Sequence, residues 1–425
     1  MPETYWLETL GCPKNQVDSD KLVGTLVADG YEAADSAEDA DLVVVNTCAF
    51  IEAARQESID TILDLAEARR AGSRLVVTGC MAERYGSELS DALPEVDLVA
   101  GFGVPVTLRR KNAFDLLNLP RPAASAPWAY IKVAEGCDRR CGFCAIPSFR
   151  GRQRSRPTDV LLDEVAALGD EVREVVLVAQ DLASWGIDRS DPDRVRRTPG
   201  APRPIVELIR AVAERVERVR LLYLYPSALD DELVDTIVAT GVPYFDLSLQ
   251  HVSRPLVERM RRWGEGGRFL DRIARIRAAA PDAGLRSSFI LGYPGETEED
   301  HDALLAFLTE AQLDWAGFFT FSEEPGTYAA GLDRGVPAAL ALERLRECSE
   351  LQDRITAERR SALVGRTMRV LVDAPGVGRS HREAPEIDGI VHVPGHLGPG
   401  TLIEVVATGA AGPDLWAEVA GPVDR

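Results

Sequence analysis

Over the first hundred or so residues, apolar runs recur in a rhythm that suits a strand, a loop and a helix in turn. Tyr5-Trp6-Leu7-Glu8-Thr9-Leu10, Asp41-Leu42-Val43-Val44-Val45-Asn46 and Arg74-Leu75-Val76-Val77-Thr78 read as strands. The second is nearly all apolar, as a strand covered on both faces of a parallel sheet must be. Between them, residues 17–30 and 51–71 place apolar side chains at helical spacing. From Trp128 onward the alternation runs six more times, with strand candidates at 130–133, 175–178, 220–224, 244–249, 285–290 and 316–321, and helices including 160–169, 205–216 and 231–239. Six such units predict a partial (β/α) barrel. The pattern then shortens to runs at 369–372, 390–393, 402–406 and 416–419 with Gly/Pro turns between them, which predicts a small antiparallel β-barrel. The fold class is therefore α/β. An open parallel α/β domain covers 1–118, a Pro/Ala-rich linker 119–127, a partial (β/α)6 barrel 128–361 and the small barrel 363–425.

This pattern gives the cysteines a meaning. Parallel strands joined by crossover helices bring their carboxyl ends to one edge, where open α/β folds bind ligands. Cys12, Cys48 and Cys80 each stand just past such a strand end, so a three-thiolate site is expected there. A lone cysteine is usually a small buried hydrophobe, but three in one structural position argue otherwise. Past the first barrel strand comes Glu135-Gly136-Cys137-Asp138-Arg139-Arg140-Cys141-Gly142-Phe143-Cys144. Thiolates hold iron–sulfur clusters, which normally take four cysteines. Three would leave one iron open to an external ligand. The alternative, a closed zinc loop, wants four ligands, and no fourth cysteine or histidine is near. Gln180-Asp181, Gln250-His251 and Gly292-Tyr293-Pro294-Gly295-Glu296-Thr297 follow later strands. His251 has a bland reading as a backbone-satisfied histidine, and Thr297 as a helix N-cap. Cys348, in a helical stretch, is read as packing. Residues 186–204, rich in Arg, Asp and Pro, are read as a solvated loop at the barrel mouth.

Composition is ordinary for a globular chain, with 45% hydrophobic and 27% charged residues. The start lacks a signal-peptide pattern and no run reaches membrane length, so a cytoplasmic protein with no membrane partner is expected. Seven cysteines there point to metal or cluster binding rather than disulfides. The net charge of −20 argues against tight binding of free RNA, which needs Lys and Arg on phosphates. It favours a basic macromolecule or a small molecule. Counted from Gly365, five arginines and no lysine stand against eight acidic residues, a net −3.

The cysteine spacing, with Phe143 immediately before the third cysteine, resembles the signature of the radical S-adenosylmethionine (SAM) superfamily. The whole chain resembles its methylthiotransferases, which join an N-terminal methylthiotransferase domain, a radical SAM core and a TRAM barrel. The resemblance implies an auxiliary 4Fe-4S cluster on Cys12, Cys48 and Cys80, and a SAM-binding 4Fe-4S cluster on Cys137, Cys141 and Cys144. It also implies Phe143 near the SAM adenine and Gln180 in contact with SAM. SAM would serve twice, as methyl donor to a sulfur at the auxiliary cluster and as source of the radical that takes hydrogen from the target carbon. One branch of the family modifies an adenosine beside the tRNA anticodon; another modifies the β-carbon of an aspartate in small-subunit ribosomal protein S-twelve. Leu10-Gly11-Cys12-Pro13-Lys14-Asn15-Gln16-Val17-Asp18-Ser19 resembles the second branch, since the first usually shows Gln-Met where Pro13-Lys14 stand. Ala179-Gln180-Asp181, Leu249-Gln250-His251 and Ala384-Pro385-Glu386-Ile387-Asp388-Gly389 do the same. A transferase acting on S-twelve is expected, fed by a donor such as flavodoxin or ferredoxin. A tRNA methylthiotransferase, an iron–sulfur electron carrier and a zinc-stabilised RNA-binding scaffold are the competing readings. No general acid or base is assigned.

Overall fold

Five short parallel strands and their crossovers build the first layer in the computed structural model, which describes residues 2–107, 114–189 and 203–421. In chain order these are β1 (Thr4–Thr9), α1 (Pro13–Ala28), β2 (Glu32–Ala33), β3 (Leu42–Thr47), α2 (Glu52–Ala68), β4 (Arg74–Gly79), α3 (Cys80–Ala92) and β5 (Leu98–Ala100). The sheet order is β2-β1-β3-β4-β5, with every neighbour parallel. Every residue of β3 is buried, as its apolar run requires.

The next unit opens with β6 (Trp128–Lys132). A two-strand clasp, β7 (Ala134–Glu135) with β8 (Arg154–Ser155), then encloses the Cys137 loop and the short α4 (Ile146–Phe149). There follow α5 (Thr158–Ala167), β9 (Glu174–Val178), α6 (Pro204–Ala213), β10 (Arg218–Leu221), α7 (Asp231–Ala239), β11 (Tyr244–Gln250), α8 (Arg254–Arg259), α9 (Gly266–Ala279), β12 (Gly284–Leu291), α10 (Glu298–Ala311), β13 (Trp315–Thr320) and α11 (Ala338–Ser361). The six barrel strands stand in sequence order but as two three-stranded parallel sheets, β6-β9-β10 and β11-β12-β13. They are joined by a single parallel bridge from Leu224 to Leu247. The expected solvated loop at 186–204 falls mostly on 190–202, outside the described residues.

The last unit is a closed barrel of β14 (Thr367–Ala374), β15 (Val377–Arg379), β16 (Val391–His392), β17 (Leu402–Ala411) and β18 (Asp414–Val419), in the order β14-β15-β16-β18-β17. It corrects the expectation in two ways. There is a fifth strand, β15, and β16 pairs with β18 in parallel rather than antiparallel fashion. The segment between β15 and β16 plugs the amino ends of the core strands. Tyr130 Oη donates to Pro385 O (2.9 Å), Tyr244 Oη to Asp388 Oδ2 (2.6 Å), Trp315 Nε1 to Arg382 O (2.7 Å) and Arg218 Nη2 to Ser380 O (2.7 Å). Tyr130, Val176, Val178, Leu222 and Tyr244 pack together with Val17 from α1 and Ala384 from the plug. The core interior is thus closed below by the chain's last unit and flanked by its first. Among the described residues no helix is long and apolar enough to cross a membrane.

Candidate active site

Cys12 precedes the first turn of α1 in extended backbone (φ −103°, ψ 168°). Cys48 directly follows β3, and Cys80 opens α3. Glycines let these turns meet. A Cβ on Gly79 (φ +91°) would lie 2.3 Å from Asn46 Oδ1 and 2.6 Å from Thr47 N. A Cβ on Gly11 (φ +94°) would lie 3.0 Å from Cys48 Sγ. Two asparagines lace the loops together. Asn15 Nδ2 donates to Leu10 O (2.9 Å) and Thr47 O (3.0 Å), while Asn46 Nδ2 donates to Asn15 O and Ser19 Oγ, both at 2.9 Å.

The three thiols feel one another. Burial pushes Cys48 up to about 12, with Cys80 and Cys12 adding to the rise. Burial also raises Cys80, against the pull of Arg150. Cys12 moves down: burial opposes its ionisation, but Lys14, Arg150 and the amides of Asn15 and Lys14 outweigh it.

The second group hangs on the β7–β8 clasp. The Cys137 amide donates to Gly151 O (3.1 Å), Gly142 N to Met260 O (2.8 Å) and Ala329 N to Gly142 O (2.8 Å), which ties the loop to the α8 end and to the chain past β13. Burial pushes Cys137 up to about 11 and Cys144 up to about 12, with neighbouring cysteines contributing. As residues, Cys137, Cys141 and Cys144 are all half-buried. Arg139 N donates to Cys137 Sγ (3.4 Å) and Arg262 Nη1 to Cys141 Sγ (3.0 Å). Asp181 receives Arg139 Nε at 2.6 Å.

Between the groups lies a buried charge network. Lys132 Nζ sits 2.5 Å from both Asp18 Oδ1 and Glu135 Oε2. Arg150 Nη1 donates to both oxygens of Glu135 at 3.0 Å, and its Nη2 to Asn15 Oδ1 (2.8 Å) and Cys80 Sγ (2.9 Å). Burial works against the Arg150 charge, yet Cys80, Glu135 and Asp18 hold it firmly protonated. Glu135 is held far below the usual carboxylate range: burial opposes this, and Arg150 and Lys132 overcome it.

Gln180 Nε2 donates to Glu135 Oε1 at 2.6 Å, while its Oε1 is buried without a partner among the described residues. Phe143 packs against an apolar group of Leu256, Met260, Tyr293 and Ala329. His251 is fully buried, and its Nδ1 takes the Ser253 amide rather than giving to a carbonyl. Thr297 caps α10 in a reciprocal box with Asp300. Cys348 is buried in the core packing.

The donor set suits iron–sulfur chemistry. Each group offers three soft sulfur donors, and one unspent acceptor, Gln180 Oε1, sits on the side chain that bonds Glu135. Among the described residues no group of three or more His, Cys, Asp and Glu side chains is close enough to clasp a single metal ion. Ligation needs thiolates, so loading would release protons. Asn15, Asn46, Asp18, Lys132, Glu135, Arg150 and Arg262 escape a reading of spacing alone, because each acts through partners distant in sequence.

Three family profiles match the chain: "Uncharacterized protein family UPF0004" over 4–101, "Radical SAM superfamily" over 131–308 and "TRAM domain" over 364–420. Ribosomal protein uS12 methylthiotransferase RimO of Moorella thermoacetica is 42% identical, covering 94% of this chain and 95% of that protein. RimO of Saccharopolyspora erythraea is 39% identical, covering 97% and 94% respectively. Among solved structures, the radical SAM methyltransferase TsrM from Kitasatospora setae aligns with a TM-score of 0.52 at 15% identity, over 94% of this chain and 82% of that one. That likeness speaks for the fold alone. With two cysteine groups, three matching units and identity near two-fifths over 94% or more of its length, the chain belongs to the RimO family of radical SAM methylthiotransferases.

Proposed function

We propose that the chain transfers a methylthio group to ribosomal protein uS12, at the β-carbon of an aspartate. One observation carries the reading: a single guanidinium, Arg150, ties the two cysteine groups, 2.9 Å from Cys80 Sγ and 3.0 Å from Glu135, two residues before Cys137. Family identity of 42% over 94% of the chain supports the substrate. Residues 1–118, 128–361 and 363–425 act as three units, with 119–127 as linker. Cys137, Cys141 and Cys144 would hold the cluster that binds SAM, and Cys12, Cys48 and Cys80 the auxiliary cluster. Bound there, the first would supply one-electron reduction of SAM, and the second a place for the sulfur to be methylated and transferred.

The chain's own groups do the placing. Gln180, steadied by Glu135, offers Oε1 toward SAM, and Phe143 offers an apolar face toward its adenine. The Asp18–Lys132–Glu135–Arg150 network fixes the first unit against the clasp, so the two thiolate groups keep one separation. An unactivated C–H bond gives acid–base chemistry little purchase, so orientation and exclusion of water are what the protein supplies. No side chain is assigned as general acid or base. A donor such as flavodoxin or ferredoxin delivers the electrons, in the cytoplasm. The net charge of −20 favours a basic protein target over an RNA one.

The test is to incubate anaerobically reconstituted enzyme, SAM and a reductant with uS12 and, separately, with tRNA, and to read both by mass spectrometry. A methylthio group on a uS12 aspartate alone supports the reading; modified tRNA with untouched uS12 overturns it.

A further inference from the structure

Each cysteine group contains one sulfur that accepts a guanidinium hydrogen bond. Arg150 Nη2 reaches Cys80 Sγ at 2.9 Å, and Arg262 Nη1 reaches Cys141 Sγ at 3.0 Å. The two cations are otherwise placed differently. Arg150 is buried, meets Glu135 and Asp18, and has Phe102 4.4 Å beneath its guanidinium. Arg262 forms no ion pair among the described residues. Its Nη2 donates to Ser248 O, its guanidinium lies 4.4 Å from the Tyr225 ring, and its Nε is buried without a partner.

Arg262 is half-buried, and a cation partly shielded from water and given no carboxylate still gains from a nearby counter-charge. The nearest candidate is the sulfur it touches. An N–H on a ligand sulfur, with a positive charge behind it, stabilises the more electron-rich state of whatever that sulfur holds. Ion pairing alone would account for Arg150. It does not account for Arg262, yet the same contact recurs there on an unrelated element.

We propose that Arg150 and Arg262 are positioning residues that each set the reduction potential of the cluster whose cysteine they touch, Arg150 through Cys80 and Arg262 through Cys141. This rests on the two-cluster reading above. Each arginine makes its own cluster easier to reduce, and neither acts on the other. That matters for a reaction in which one site must pass an electron to SAM while its neighbour only carries sulfur.

The experiment uses full-length chains in which one trio is replaced by alanine, so that a single cluster remains, with midpoint potentials read by EPR-monitored titration. In the chain lacking Cys12, Cys48 and Cys80, Arg262→Gln should shift the reduction equilibrium about tenfold toward the oxidised form, ~59 mV for one electron. Arg262→Lys, which keeps the charge, should recover most of that. In the chain lacking Cys137, Cys141 and Cys144, Arg150→Gln should do the same, and Arg150→Lys should recover most of it. Arg262→Gln should leave this second chain's midpoint alone. Full iron with unchanged midpoints in the glutamine variants, or shifts that cross between sites, would overturn the proposal. If the chain retaining Cys12, Cys48 and Cys80 takes up no iron before any arginine is changed, the two-cluster reading fails instead. Should Arg150→Gln not fold, the Arg262 pair and Arg150→Lys still decide.

Discussion

Gly79 sets how closely the third cysteine turn approaches the second, because only a residue without a Cβ fits at φ +91° against Asn46. Gly79→Ala should cost roughly 1–3 kcal/mol and deplete the auxiliary iron, leaving about four irons per chain; iron analysis beside a thermal melt checks both. His251 supplies a pH prediction. Burial lowers it from 6.5 to about 4, with Asp300 pulling the other way and His301 and Arg344 adding to the fall. A group depressed in the fold costs nothing above its unfolded value and destabilises as pH falls through 6.5 toward 4. The loss reaches about 3 kcal/mol below that window. Wild type should therefore lose more stability than His251→Gln between pH 6.5 and 4, read as melting temperature against pH. Cysteines advertise themselves by residue type and by their place after strands. Arg150 did not, because its partners Cys80 and Asn15 lie 70 and 135 positions away.

At the scale of elements, long buried strands were legible and short or broken ones were not. The apolar run at 41–46 predicts β3 to within one residue, because a parallel strand covered on both faces is apolar throughout. α3 was missed, since Gly86 (φ 44°, ψ −112°) interrupts its helical period. β2 holds only two residues, and β5 and β15 three, too few to show alternation, whereas β16 (Val391–His392) lies inside the apolar run at 390–393 that the pattern predicts. The cap on α10 was legible as Thr297, and the structure adds Asp300 as its reciprocal partner. Thr297→Ala should cost about 1 kcal/mol, seen as faster hydrogen exchange of the first-turn amides of α10 with little change elsewhere.

Across the whole molecule, the last unit grips the core at the end away from the cysteines. Glu174 lies buried among Arg218, Arg220 and Arg379, and burial, which would raise it, loses to Arg220, Arg379 and Arg218, so it is held well below the carboxylate range. Glu174→Gln leaves Arg218 and Arg220 without a counter-charge, while Arg379 keeps Asp373, and should destabilise by about 3–5 kcal/mol, measured by denaturant melt. The plug carries Ala384 to Gly389, a stretch whose sequence resembles the ribosomal-protein branch of the family. The structure gives it a packing job, with Asp388 receiving Tyr244 and pairing with Arg286. The acidity of the small barrel therefore lies at the end away from the cysteine groups. No sequence pattern could show this, because it depends on where a closed barrel docks. The central claim is that two cysteine trios hold separate clusters that act together, and iron and sulfide analysis after anaerobic reconstitution tests it most directly. The prediction is about eight irons in the intact chain and about four in each chain with one trio replaced by alanine, with uS12 methylthiolated by the intact chain alone. About four irons in the intact chain, or methylthiolated uS12 from a chain lacking either trio, would contradict it.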